Sequence, residues 1–130
     1  MQIPKKFFVG LLLGTILILF AVNLIVPEIT MAQDDQIQAL TKQELDHMEN
    51  GQYQEAVGDI DQIINLNSDM PDVHYERGTM HIAMDDPQSA VTDFQTAKDL
   101  YSAQGDSYSA DYMQELIDQW QDNYGNSPTN

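Results

Sequence analysis

The chain has 130 residues, no cysteine, and 21 acidic against five basic residues, for a formal charge of −16. That length allows one small domain and a terminal segment. The lack of cysteine removes disulfides, thiolate metal sites, a cysteine nucleophile and a lipid-modified N-terminal cysteine. From Gln33 onward 20 Asp and Glu stand against Lys42, Arg77 and Lys98, which leaves −17 on the body of the chain. Such a body repels nucleic acid and anionic lipid, whose recognition needs Lys and Arg, and favours basic partners or cations. The same charge also serves simply to keep an exported domain soluble.

Lys5 and Lys6 precede Phe7–Val26, a run of 20 residues whose polar members are Thr15 and Asn23, and Pro27 ends it. The run is long enough to span a bilayer as a helix. It also reads as a secretory signal, with cleavage after Ala32 and Glu28–Met31 extended for the peptidase. Both readings stay open: residues 1–32 are a signal peptide or a signal anchor. The two lysines hold the N-terminus in the cytoplasm. The acidic body is therefore expected outside it, in a periplasm, a lumen or the medium, or anchored to the membrane there.

Asp34–Asn50 reads as the first helix of the body. Asp35 and Gln38 are spaced as a reciprocal capping pair. Ile37, Leu40, Leu45 and Met48 supply a broken apolar face, and Gly51 is free to take a left-handed cap. The second helix runs from about Gln52 to Asn67, with Tyr53, Ala56, Val57, Ile60, Ile63 and Ile64 at helical spacing. A third follows Asp69, a cap candidate, with Pro71 in its first turn. Its contact residues are Val73, Tyr75, Gly78, Ile82 and Ala83. Asp86-Pro87 opens a fourth, with Ala90, Val91, Phe94, Ala97, Leu100 and Tyr101 inward and Gly105 as its end. Asp106 opens a fifth, with Tyr108, Tyr112, Met113, Leu116, Ile117 and Trp120 on one side, and Asn126–Asn130 is a polar tail. Connections of two to five residues make successive helices antiparallel, and no stretch alternates with the period of a strand.

One pattern occurs twice, 34 residues apart: Ala56 returns as Ala90, Val57 as Val91, Asp59 as Asp93, Ile60 as Phe94, Ile63 as Ala97 and Leu66 as Leu100. A fixed period of this length marks a stacked-repeat architecture. The copy from Pro71 to about Gln104 resembles the tetratricopeptide repeat (TPR) in a bacterial variety. Gly78 and Ala90 fall at its small positions, Phe94 at its aromatic and Ala97 at its last alanine, within Tyr75-Glu76-Arg77-Gly78 and Ala90-Val91-Thr92-Asp93-Phe94. The copy from Ile37 to Met70 matches through Gly51, Tyr53, Ala56 and Ile60, and departs at Glu44, where Gly or Ala is expected. The resemblance implies an all-α fold. Antiparallel helical hairpins would stack as a short solenoid over residues 33–124, with repeats at about 37–70 and 71–104 and a capping helix at 106–124. An N-terminal hydrophobic helix precedes the solenoid and a flexible tail at 125–130 follows it. Two repeats and a cap approach the minimum for such a stack, because one repeat cannot bury its own face.

No catalytic constellation is legible. His47 and His81 occupy equivalent repeat positions suited to packing. His74 and His81 share a helix face about 10 Å apart along the axis, too far for one metal ion without a third ligand. Asp85, Asp86 and Asp106 read as caps, and there is no calcium loop, nucleophile elbow or phosphate-binding glycine loop. The expectation is a non-enzyme with no cofactor and no metal site. What the family resemblance adds is a groove lined by first-helix residues. Carried over position by position, these are Gln38, Thr41, Leu45, Met48 and Glu49, then Asp72, Tyr75, Thr79, Ile82 and Ala83, continued on the capping helix by Asp106, Ser109 and Met113. The row has an apolar centre, an acidic rim and no Lys or Arg, so a neutral or basic peptide or helix of a partner protein fits it better than a terminal carboxylate. Nucleic acid is not expected, and membrane contact arises only through an uncleaved N-terminal segment. The competing expectation is an acidic, cation-binding or surface-charge protein with no specific groove ligand. A small hydrolase built on an Asp/Glu pair is a third.

Overall fold

A computed structural model of the chain describes residues 30–125, and among these it is all-helical. The chain divides after Gln36 into two units. Of the first, residues 30–36 are described and are helical. The apolar run Phe7–Val26 and the tail after residue 125 lie outside the described residues. The extended stretch expected at Thr30 and Met31 is helical instead, and the expected cap Asp35 lies inside a helix that runs through 30–49, here α1. The reason is composition: from Met31 to Glu49 there is no Gly or Pro, while Ala, Gln, Leu, Met and Glu are frequent and favour the helix.

From Ile37 onward the remaining helices are α2 (Tyr53–Leu66), α3 (Pro71–Ala83), α4 (Pro87–Gln104) and α5 (Ser107–Gly125). The turns follow the punctuation of the sequence. Gly51 and Gly105 are left-handed, with φ of 71° and 81°. Asp86 caps α4, its Oδ1 accepting from the Ser89 N–H at 3.2 Å, and Asp106 does the same for Ser109 at 3.1 Å. These bonds favour the ionised form, so both carboxyls are held below the usual range. The third helix is different. Its cap is Met70, with no side-chain bond, and Asp69 instead donates its N–H to Asn67 Oδ1 in the preceding turn. Pro71 at the first helical position already removes one orphan donor.

Asp85 is the one non-glycine residue with positive φ among the described residues, at 61°. It stands one repeat after Gly51, so both hairpin turns need the left-handed conformation and only the first has the residue that adopts it freely. Asp85→Gly is therefore expected to raise the unfolding free energy by about 1 kcal/mol, and Asp85→Val to lower it. Chemical denaturation of the three proteins checks both signs.

α2 packs on α3, α3 on α4 and α4 on α5. The α3–α4 pair is antiparallel. His81 and Asp86 meet at the turn, while Tyr101 near the end of α4 donates to Asp72 at the start of α3, and Gln104 Nε2 donates to the Asp69 carbonyl at 2.9 Å. Two apolar clusters result. The first joins Ala56, Val57, Ile60, Ile63, Val73 and Met80, with Ile37, Leu40 and Met48 against it. The second joins Ala90, Phe94, Ala97, Met113 and Ile117, with Tyr75, Ile82, Leu116 and Trp120 against it.

The two hairpins solve one packing problem differently. A Cβ added at Gly78 would lie 2.5 Å from the Phe94 ring, which is 1% exposed. One repeat earlier the corresponding positions hold Glu44 and Ile60, both buried, a larger first-helix residue and a smaller second-helix one. Gly78→Ala is expected to cost about 1–3 kcal/mol through overpacking. Adding Phe94→Ile, which copies the first hairpin, is expected to recover part of the loss. Purely additive losses in a double-mutant cycle would refute the pairing.

Candidate interaction surface

Each hairpin holds one buried aspartate in its second helix, served by two residues one turn apart in its first. Asp59 is 3% exposed and accepts from Gln43 Nε2 at 3.0 Å and His47 Nδ1 at 2.6 Å. An ionised Asp59 accepts only, so that bond requires the Nδ1–H of His47. Asp93 is 4% exposed and takes Nη2 of Arg77 at 2.6 Å and Nε at 3.0 Å, with His81 Nε2 at 3.7 Å. Gln43, His47 and Asp59 thus recur as Arg77, His81 and Asp93. Arg77 also reaches back to Asp61 on α2 at 2.6 Å, which ties the second hairpin to the first. These polar sets are structural, each turned on its own aspartate, although Nδ1 of His81 is buried without a hydrogen-bond partner.

The expected groove residues fare unequally. Leu45, Glu49, Asp72 and Ala83 are exposed. Met48 is half-buried against the first cluster, and Tyr75 and Ile82 against the second. Thr79 is half-buried and donates its hydroxyl to the Glu76 carbonyl at 2.7 Å. Asp72 accepts from Tyr101. Of the continuation on α5, Asp106 is spent on capping and on the Ser109 hydroxyl. Met113 does not line a groove: it is 2% exposed, inside the second cluster. The cause is a change of spacing. α4 runs 18 residues where α2 runs 14, so the 34-residue period does not carry over to α5. Instead Tyr112 stands beside Tyr75, ring centroids 6.3 Å apart and edge-on. Tyr108 and Tyr112, expected on one side with Met113 and Ile117, are instead 85% and 45% exposed, because Ala110, Met113 and Ile117 form the buried stripe of α5.

Two carboxyls outside the expected groove set are also perturbed. Glu44, on α1, is 2% exposed, and its carboxyl is pushed up to about 7 by burial, then by Glu76 and Asp59. Glu76, on α3, is raised by burial and by Asp72 one turn away. The Tyr75 hydroxyl is raised by burial and by its hydrogen bond with Tyr112, and that of Tyr101 by burial and by Asp72. Four groups therefore resist ionisation, partly desolvated and in a negative field. The signal was present in the sequence: a Glu at the small position of a repeat is out of place as packing.

Among the described residues no group of three His, Asp or Glu is arranged to hold a metal ion, and no helix is long and apolar enough to cross a membrane. Compared with protein-family models, curated proteins and solved structures, the chain matches none of them.

Proposed function

We propose that the chain is a short TPR-type array, two repeats and a capping helix, acting as a non-catalytic adaptor. In this reading an N-terminal signal or anchor carries it out of the cytoplasm. There it binds a neutral or basic segment of a partner protein on the face shared by α1, α3 and α5. The observation that carries the reading is the double occurrence of one hairpin, down to its buried aspartate and the two residues that serve it. Stacked hairpins leave a continuous first-helix surface, and here that surface mixes Leu45, Tyr75, Tyr112 and Tyr108 with acids. Exposed aromatic side chains suit protein recognition, offering large contact area with few rotors to freeze. The reading needs no cofactor. The alternative, a cation-buffering or surface-charge protein, draws on the net charge of the body alone.

A photo-reactive benzoylphenylalanine at Leu45 or at Tyr108, introduced in the cell that makes the protein, is expected to capture the same partner from both positions. The same group at Gln62 or Gln88, on the exposed sides of α2 and α4, is expected to capture nothing in common with them. Equal labelling from all four positions, or none from Leu45 and Tyr108, overturns the proposal.

A further inference from the structure

Helices α1, α3 and α4 end in the same way. The N–H groups of Gly51, Asp85 and Gly105, all left-handed, donate to the carbonyls of Met48, Ile82 and Ser102 at 3.0, 3.0 and 3.1 Å. Those of the next residues, Gln52, Asp86 and Asp106, reach one carbonyl further back, to His47, His81 and Tyr101 at 2.9, 2.8 and 2.9 Å. This pair of bonds is the Schellman closure of a helix. The residue before the left-handed position differs in each: Asn50, Met84 and Gln104. Asn50 has a side-chain amide carbon that closes a five-membered ring with the next backbone nitrogen. Met84 has no carbonyl, and Gln104 would have to close a slower six-membered ring. Glycine is the least hindered partner for such a ring. No heavy atom lies within 4 Å of where a Cβ on Gly51 would stand, and Asn50 and Gly51 are both exposed.

The folded turn occupies both reacting groups. The Gly51 N–H is held by Met48, and Asn50 Nδ2 donates to the Asp46 carbonyl at 2.7 Å. Attack requires a free Gly51 nitrogen, so the closure must open first. We infer that Asn50 is a modification site, converted without an enzyme to aspartate and isoaspartate through a cyclic imide with Gly51, at a rate set by opening of this turn. Water or hydroxide takes the Gly51 N–H proton, and the nitrogen bonds to Asn50 Cγ. The Cγ–Nδ2 bond breaks, and Nδ2 leaves as ammonia after taking up a proton. A second water opens the ring: cleavage at Cγ leaves aspartate, and cleavage at the main-chain carbonyl leaves isoaspartate. In sum one water enters and one ammonia leaves, and nothing is oxidised or reduced.

Isoaspartate routes the main chain through Cβ and Cγ. One extra atom then stands between α1 and the N–H groups of Gly51 and Gln52, and the closure is lost. The new carboxylate also lies at the negative end of the α1 dipole. His47 belongs to this last turn and its ring holds Asp59, so the break falls beside the polar contact joining α1 to α2. The inference is independent of what the chain binds.

The test is incubation of the full chain in a non-ionic detergent at pH 8, with and without urea. Proteolysis, mass measurement of the peptide spanning Asn50-Gly51 and enzymatic methylation of isoaspartate follow. In the folded parent this peptide is expected to gain the mass of amide-to-acid conversion and to accept methyl groups. In urea the conversion is expected to be at least about tenfold faster, because opening no longer limits it. Asn50→Gln, which copies Gln104-Gly105, is expected to fold and to abolish methylation at this position. The isoaspartate form, separated by its added charge, is expected to unfold at lower urea than Asn50→Asp, which adds the charge without rerouting the main chain. No methyl acceptance by this peptide in the folded parent overturns the inference. Equal rates with and without urea overturn the control by the turn, and equal stability of the isoaspartate form and Asn50→Asp overturns the loss of the closure.

Discussion

Replacing Arg77 by Met is expected to lower the unfolding free energy by about 3–5 kcal/mol. Arg77 is the only arginine of the chain, and its fork is divided between the side chains of Asp93, which is buried, and Asp61, which is 52% exposed. The expected loss comes from the Asp93 side. Removing the guanidinium leaves a buried carboxylate with only a distant His81, whereas Asp61 is resolvated at little cost. Set against a typical total of about 5–15 kcal/mol, this is a large share of the stability. The first hairpin supplies a control, because Gln43 occupies the corresponding place and donates to Asp59 through a neutral amide. Arg77→Gln is therefore expected to lose clearly less than Arg77→Met, and Arg77→Met with Asp93→Leu to recover much of the difference. Urea denaturation of the four proteins checks the series. Equal losses for Met and Gln would remove the donor role assigned here to Arg77.

The second large effect concerns Glu44 and depends on pH. The free carboxyl titrates near 4.5 and the folded one near about 7, so the folded chain binds the proton more tightly. The contribution of protonated Glu44 is complete below 4.5, is lost as pH rises from there through 7, and stays lost above. The separation corresponds to about 3 kcal/mol. Glu44→Gln, which keeps the shape and removes the charge, is expected to match the parent at pH 4 and to exceed its stability by about 3 kcal/mol at pH 8. The repulsion among the other acids is common to both proteins and cancels. Urea midpoints at the two pH values read the difference directly, and parallel pH profiles would show that Glu44 is not the titrating group.

Helix type and order were legible because local signals agreed. Gly51, Asp86-Pro87, Gly105 and Asp106 punctuate the chain where the turns and caps occur, and apolar spacing at Ala56–Ile63 and Ala90–Ala97 identifies the buried stripes. The start of α1 was not legible, because Asp35 looks like a cap yet nothing upstream as far as Met31 breaks a helix. Among the candidate site residues, those on α1 and α3 were placed by a period that does run through both hairpins. The α5 assignment failed because the longer α4 shifts the spacing, which exchanges Met113 for Tyr112 at the surface. Burial of Glu44 was not readable from hydropathy at all. The 34-residue correspondence does pair Glu44 with Ile60 where the second hairpin has Gly78 with Phe94, a volume relation across two helices.

That volume relation has a consequence for how the chain assembles. Two hairpins built on one pattern in one polypeptide invite mispairing, in which the first helix of one closes on the second helix of the other. Here the wrong closure sets Glu44 against the Phe94 ring, where even a methyl group at Gly78 has no space. The opposite exchange sets Gly78 against Ile60 and leaves a void where a carboxyl side chain belongs. Each first helix is thereby keyed to its own second helix, and scrambled topologies are penalised before the stack is complete.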